Sequence, residues 1–544
     1  MRLFRPRNLA VLGISAAVVV AGCSSSKSST ATPASAGASN TTATPGVTAP
    51  SVVNIGYTAD MQVPDPDIFY EIEGNSVMTN VYEDLVKYGN NSTTITPGLA
   101  ASWTVSADGL TYTFKLRSGV AFHDGTGTMT SRDVKASFTR RTALGSVSAP
   151  GYMLAQVASY DTPEPLTFVV HLKTSVSAFL DYLAAPYGPK VEDAAGLTKN
   201  AGSDMDQTYL KTHDLGTGPL TMSEFVPGDH YTLKGFAGYW GGAPQVTQLH
   251  ISILPDIATQ QLEFKGGQLQ MILHGLSKDD IASYEHNAKY QVQRFPANFK
   301  TWVMVNENKG VFKDQAMRTA LRSAINRHQI IDQVYGSDAA LSTQYYPAGE
   351  LPTSMAADTP TYDPSSLAKA VAALSGSKKV DLAYSSDDAR NQRDAEIIQT
   401  ELQAAGLNAT VRGIPIAQVF NLPTQPAQAP DLLLSTVNPD ASHPDTWARI
   451  FSHTFDNTNG TLNWLLCSVP AADKEMDLGL GATTQADVQA HYGKAGDLEV
   501  ASGCFDTIAD VKDVVVADAG YSNWYHQPPT LYSVKFGVLK LSSS

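Results

Sequence analysis

Apolar positions change their spacing three times along this chain, and each change marks a different kind of segment. Leu9 to Ala21 is an apolar stretch with no charge. From residue 24 to 50 no apolar period exists, because nearly every residue is Ser, Thr, Ala, Pro or Gly. From about Val52, strand-like and helix-like spacings take over. Val53 to Tyr57 predicts a strand. In the run from Thr111 to Arg117, Tyr112, Phe114 and Leu116 fall on one face and Thr, Lys and Arg on the other, the pattern of a half-buried strand. Asp314 caps a predicted helix that runs to about Tyr335, with Met317, Leu321, Ala324, Ile325 and Ile331 near helical spacing and Gly336 as its stop. A second predicted helix covers about Ala389 to Ala405 and stops at Gly406. Strand and helix alternate without an internal repeat, so the fold class is mixed α/β or α+β, arranged in lobes. No later apolar run approaches 18 residues, so nothing after the N-terminus is long enough to span a membrane.

The first segment has an address. Arg2, Arg5 and Arg7 precede the apolar stretch, and Val20-Ala21-Gly22-Cys23 closes it with small residues before a cysteine. The apolar run is about a dozen residues, too short for a bilayer core of about 30 Å. It predicts a signal peptide over residues 1–22. The cysteine resembles the lipobox of bacterial lipoproteins, which implies lipidation of Cys23; the alternative is an ordinary cleaved leader with a chance cysteine. Residues 23–51 then form a flexible leash, too poor in apolar surface to fold, of about 30 Å root-mean-square length.

Charge and cysteine content narrow the classes. Lys+Arg 38 against Asp+Glu 52 leaves −14, and losing the three leader arginines takes this to −17. An acidic chain with no basic stripe is a poor nucleic-acid binder. With Cys23 assigned to lipid, Cys467 and Cys504 remain as an even pair in an oxidising compartment, which favours a disulfide over two separate buried thiols. No metal-ligand cluster surrounds them, and the twelve histidines show none. No metal and no cofactor is expected.

Several segments together resemble a known family. They are Tyr82-Glu83-Asp84-Leu85-Val86, Pro97-Gly98-Leu99-Ala100 with Ser102-Trp103, Asp108 to Arg117, Phe122-His123-Asp124-Gly125-Thr126 and Ser131-Arg132-Asp133-Val134. Gly216-Thr217-Gly218-Pro219, Gly238-Tyr239-Trp240-Gly241-Gly242 and the helix positions Arg318 to Arg327 complete the series. In this order and spacing, over residues 52 to 540, they resemble the solute-binding proteins of ABC importers for peptides and nickel, family 5. The resemblance implies a two-lobed periplasmic-binding-protein-like fold (type II, cluster C) that closes on a ligand about a two-strand hinge. It divides the chain into lobe I (52–80, 206–298 and 505–544), an inserted subdomain of lobe I (81–205) and lobe II (299–504). The crossings are expected near Lys300-Thr301-Trp302-Val303 and near Cys504. The motif residues identify the fold; Trp103, Tyr112 and Phe114 read as core.

The resemblance also points to ligand contacts. In peptide-binding relatives an aspartate four residues before a Pro-Asp pair receives the ligand's α-ammonium, and Asp440 stands there, ahead of Pro444-Asp445. The alternative is a turn aspartate in a Pro/Asp/Ser-rich loop. Relatives carry Gly-Trp shortly before this aspartate, where this chain has Ser435-Thr436. Arg390 matches a basic residue that pairs with the ligand carboxylate, a task suited to the two parallel N–H groups of a guanidinium; the alternative is a solvated arginine at a helix start. Glu73, Gly74 and Asn75 match a loop that lines the cleft and offers backbone groups. Trp302 faces either the cleft or the hinge core.

The implied role is an extracytoplasmic binding protein, not an enzyme. It would act as a monomer, tethered to the cell membrane by lipid, capturing short peptides for a permease and its ATPases. A nickel chelate, a glycoside or opine-like solute, or a peptide signal are the alternatives. An exported hydrolase is the remote one: there is no G-x-S-x-G and no H-E-x-x-H, and Ser366-Leu367-Ala368-Lys369 lacks the S-D-N and K-T-G motifs that accompany S-x-x-K.

Overall fold

The computed structural model describes residues 49–61, 63–145, 151–456 and 461–542. The leader, Cys23 and nearly all of the leash fall outside them. No helix among the described residues is long and apolar enough to cross a membrane.

Eleven described strands form one sheet. Its order is Asn408–Ile414, Lys379–Ser385, Leu432–Val437, Tyr290–Val305, Phe505–Asp518, Met271–Ile272, Val52–Tyr57, Gln248–Ile253, His230–Gly235 and Leu220–Val226; Ala339–Leu341 pairs with Phe505–Asp518 off this line. The two long antiparallel strands in the middle belong to both lobes. Tyr290 to Phe295 pairs with Asp518 to Asp513; after a register shift, Phe299 to Met304 pairs with Val511 to Phe505. Core membership changes at the same place. Phe295, Val515 and Ala517 pack with Val53, Ile55, Leu249 and Ile251 in lobe I. Phe299, Val303, Ile508 and Val511 pack with Leu382, Leu432 and Leu434 in lobe II. The lobes therefore meet at residues 296–298 on one strand and at 512 on the other. The outward crossing lies slightly before Lys300, and the return crossing lies well past Cys504. No sequence feature marks the return, because burial along the strand alternates across it from Ala509 to Val515.

The inserted subdomain carries its own antiparallel sheet, in the order Ala100–Val105, Thr111–Leu116, Thr167–Leu172, Val157–Glu164. Tyr112, Phe114 and Leu116 turn inward onto Phe138, Phe168 and Val170, as their alternation requires. Helix Ser131–Leu144 covers this sheet, and a capping box between Thr130 and Asp133 starts it. An ion cluster ties the helix to lobe I. Arg140 grips Asp65 through both terminal nitrogens (2.8 and 2.6 Å) and also donates to Asp67 at 2.8 Å. Glu192 and Asp206 stand 3.9 and 4.0 Å from the same guanidinium.

Two helix expectations met different outcomes. Ala389–Ala404 starts on an Asp388 cap and ends before Gly406, whose φ of +91° suits only a residue without a side chain. The helix launched by Asp314 stops at Ala324 instead of continuing to Tyr335. Ile325 is extended, Asn326 caps a new turn by accepting from the Gln329 amide, and the chain restarts as Arg327–Ile330. The break turns buried Arg327 onto Asp506 and the Thr507 carbonyl. Apolar spacing does not register such a break, since Ile325 and Ile330 are buried on both sides of it. In lobe II the structure joins Cys467 and Cys504 as a disulfide.

Candidate ligand-binding cleft

Strand Leu432–Val437 leads into a loop that ends at helix Pro444–Phe451. His443 caps that helix by accepting from the Asp445 amide, and Pro444 occupies its first turn, where a missing N–H costs nothing. Capping fixes the loop, and the loop presents Asp440. Ala441 beside it is buried in the core of the inserted subdomain, so this piece of lobe II is seated across the cleft.

Asp440 is only 5% exposed. Its two oxygens accept hydrogen bonds from Tyr70 at 2.8 Å and from Tyr152 at 2.7 Å. Both phenols come from the opposite side, Tyr70 from lobe I and Tyr152 from the inserted subdomain. Tyr152 is 40% exposed as a residue, so its ring stands at the rim while its hydroxyl reaches inward. Among the described residues no ion pair reaches Asp440. Burial pushes its carboxyl above the usual carboxylate range, and the two phenols and more distant Arg141 offset only part of that. Asp445, in the same loop, is satisfied differently: Arg449 donates to it at 2.9 Å, and Tyr182 and Tyr492 at 3.1 and 2.6 Å.

Arg390 lies in the first turn of helix Ala389–Ala404 and is engaged by its own cap. Nε stands 3.0 Å from each Asp388 oxygen, and Nη2 donates at 2.6 Å. The guanidinium lies over the Tyr335 ring at 5.5 Å and the Phe299 ring at 5.9 Å. Although burial opposes its charge, Asp388 holds the Arg390 pKa well above its ordinary value. A ligand carboxylate would have to share this arginine with Asp388.

The 73–75 segment is built from lobe I outward. Glu73 accepts from Thr58 at 2.5 Å and pairs with His274 at 2.8 Å, so its carboxyl stays below the usual range despite burial. The His274 ring stacks on Tyr532 at 3.8 Å, and Tyr532 in turn meets Phe299 edge-on. Gly74 has a φ of +92°, and a Cβ there would stand 2.8 Å from Met61 Cβ, so only glycine fits. Asn75 is 1% exposed, and its side-chain amide donates to the Leu531 carbonyl. Its amide nitrogen therefore anchors the C-terminal segment.

Trp302 is corrected from cleft candidate to core residue. It is fully buried and packs on Trp447, Phe451 and Phe505 at 4.6 to 5.5 Å. Among the described residues, the one grouping with metal-ligand spacing is Glu307 with Cys467 and Cys504, and both of its sulfurs are joined in the disulfide.

The profile of the bacterial extracellular solute-binding proteins, family 5, middle part, matches residues 94–459. The chain belongs to this family. A Brucella ovis protein, provisionally named as the peptide-binding protein of an ABC transporter, is 30% identical over 298 residues, 54% of each chain. The dipeptide-binding protein of Escherichia coli K12 is 28% identical over 356 residues, 61% of this chain and 65% of its own. The chain thus spans between half and two thirds of the length of these curated relatives. Solved structures extend the likeness to nearly the whole fold. NikA of Brucella suis with Fe(III)-EDTA has a TM-score of 0.79 at 21% identity, over 90% of this chain and 100% of its own. The dipeptide-binding protein of Pseudoalteromonas with Met-Leu gives 0.78 at 17%, over the same shares. Both show the two-lobed fold.

For this family 5 chain the sequence singled out one side of the cleft better than the other. Asp440 carried a positional signal. Tyr70 and Tyr152, which meet it from the opposite side, carried none: they are two among 23 tyrosines, 370 and 288 positions from Asp440. Only the crossing of the lobes brings them together.

Proposed function

We propose that this protein is an extracytoplasmic, lipid-tethered receptor that closes on short peptides and hands them to an ABC permease. The observation that carries the peptide reading is Asp440. A buried carboxylate costs several kcal/mol unless a charge-assisted partner meets it, and here it meets only two phenols. An α-ammonium offers three donors and the missing positive charge. Names of relatives agree with this: they include a dipeptide-binding protein and one solved with a Met-Leu dipeptide. The Cys23 lipobox and the leash behind it supply the tether.

Native mass spectrometry of freshly purified protein, followed by calorimetry with a mixed peptide pool, tests the reading. A co-purified peptide mass and saturable heat are expected. A metal chelate or a sugar in the cleft, with no peptide binding, would overturn it. For the tether, Cys23→Ala is expected to move the protein from the membrane to the soluble fraction; an unchanged membrane fraction would remove lipidation from the account.

A further inference from the structure

A second carboxylate in the same seam lacks a partner. Glu350 lies on a lobe II loop, is 7% exposed, and neither of its oxygens has a hydrogen-bond donor among the described residues. A cation is close but committed. Lys300 donates to Ser342 at 2.5 Å and to the Gln344 carbonyl at 3.1 Å, and its ammonium is ion-paired with Asp510 at 2.6 Å. No hydrogen bond runs from it to Glu350 among the described residues. The Gln344 side-chain oxygen nearby is also buried without a partner.

Asp181, on helix Phe179–Ala184 of the inserted subdomain, is near enough for its charge to act on Glu350. It receives one hydroxyl, from Tyr88 at 3.0 Å. Burial pushes its carboxyl up to about 7; burial also holds the Glu350 carboxyl well above the usual range, the Lys300 charge offsetting part of that and Asp181 adding to it. The place is continuous with the Asp440 loop. The Tyr88 oxygen accepts from the Ser442 amide at 2.9 Å; Ser442 Oγ donates to Asn298 at 2.5 Å; Asn298 donates to the Ala348 carbonyl at 3.3 Å. Thr93 of the inserted subdomain donates to the Gly349 carbonyl at 3.1 Å. Asn298 sits where the outward strand changes lobes, so the pair lies beside the hinge.

We propose that Glu350 and Asp181 form an acidic subsite beside the hinge that takes a second cationic group of the bound solute, the side-chain ammonium or guanidinium of a basic peptide. The inference rests on the solute-binding reading and narrows its ligand class. When the lobes part, water solvates both acids. When they close, both lose that water, and the protein offers them no spare donor. A cation arriving with the ligand supplies what closure removes.

The test compares matched peptides that differ only in one side chain, lysine or norleucine, by calorimetry on the wild type and on Glu350→Gln. The wild type is expected to favour lysine by about 10-fold, and Glu350→Gln to bring that ratio close to one. An equal ratio in the two proteins would overturn the subsite while leaving the peptide reading intact. If neither peptide binds, the peptide reading fails on its own, and agmatine against butylamine on the same two proteins decides the subsite. Agmatine affinity that depends on Glu350 retains it; no Glu350-dependent binding of either cation overturns it.

Discussion

Two seams in this molecule bury clusters of carboxylates, and they are satisfied in opposite ways. Between lobe I and the inserted subdomain, Asp65, Asp67, Glu192 and Asp206 surround Arg140, with Arg141 beside them. Between the inserted subdomain and lobe II, Asp440, Glu350 and Asp181 stand without an ion pair among the described residues, meeting phenols or nothing. Asp440 and Glu350 are buried like the acids around Arg140, and Asp181 is half-buried. The difference lies in what each must do. A seam that stays closed can bring its own cation, because the pair is desolvated once, during folding. A seam that opens and closes on a solute gains specificity by leaving the cation out, since closure is then favourable only when the solute provides it.

The largest way to break this contrast is to remove the cation from the permanent seam. Arg140→Met leaves the acids around it without their fork-shaped partner. Breaking a buried pair by deleting one member costs about 3–5 kcal/mol. Urea unfolding is expected to show a loss of that order, with peptide affinity of the folded protein nearly unchanged. A stability change below about 1 kcal/mol, in the range of an exposed pair, would mean that the cluster is not structural.

The next effect belongs to the transient seam. Asp440→Asn keeps the shape and the two tyrosine contacts but removes the charge. Truncating one side of a buried charge-assisted contact costs about 2 kcal/mol or more, roughly 30-fold in affinity. Calorimetry is expected to show that loss for peptides with a free N-terminus. N-acetyl peptides, which lack the ammonium, are expected to bind both proteins equally weakly. Equal affinity of free and acetylated peptides for the wild type would remove Asp440 from the ammonium role, whatever the variant does.

How much of this was legible follows from what kind of information each part needs. Strand Thr111–Leu116 and helix Ala389–Ala404 were readable because period, cap and stop lie within a few residues of one another. The break at Ile325 was not, since both flanking segments bury the same kind of side chain and only Arg327 reaching Asp506 requires it. The return crossing at 512 was invisible because a strand that changes neighbours keeps its own alternation. In the cleft, Asp440 was reached through its spacing to Pro444-Asp445. Tyr70, Tyr152, Asp181 and Glu350 come from three separate stretches of chain, and no local pattern links them. Arg390 shows the converse: its position matched, but the neighbouring Asp388, to which sequence analysis gave no role, caps the helix and holds its charge.

The last effect is the most discriminating, because it depends on whether a solute is present. The Asp181 carboxyl is pushed up to about 7 by burial, against about 3.9 in an unfolded chain. Between these values the folded protein binds more protons than the unfolded one, so this group's contribution to stability is present at low pH and lost as pH rises through about 7. Asp181→Asn is neutral throughout and can still accept the Tyr88 hydroxyl. Its stability relative to the wild type is therefore expected to be higher at pH 8 than at pH 5, read as the difference in urea midpoints. A difference that is flat or shrinks toward pH 8 would contradict the raised carboxyl. Saturation with a lysine peptide then separates the two seams. A cation in the subsite favours the ionised acid and should erase the advantage of the variant at pH 8, whereas a seam that supplied its own cation would respond to pH in the same way with and without the peptide.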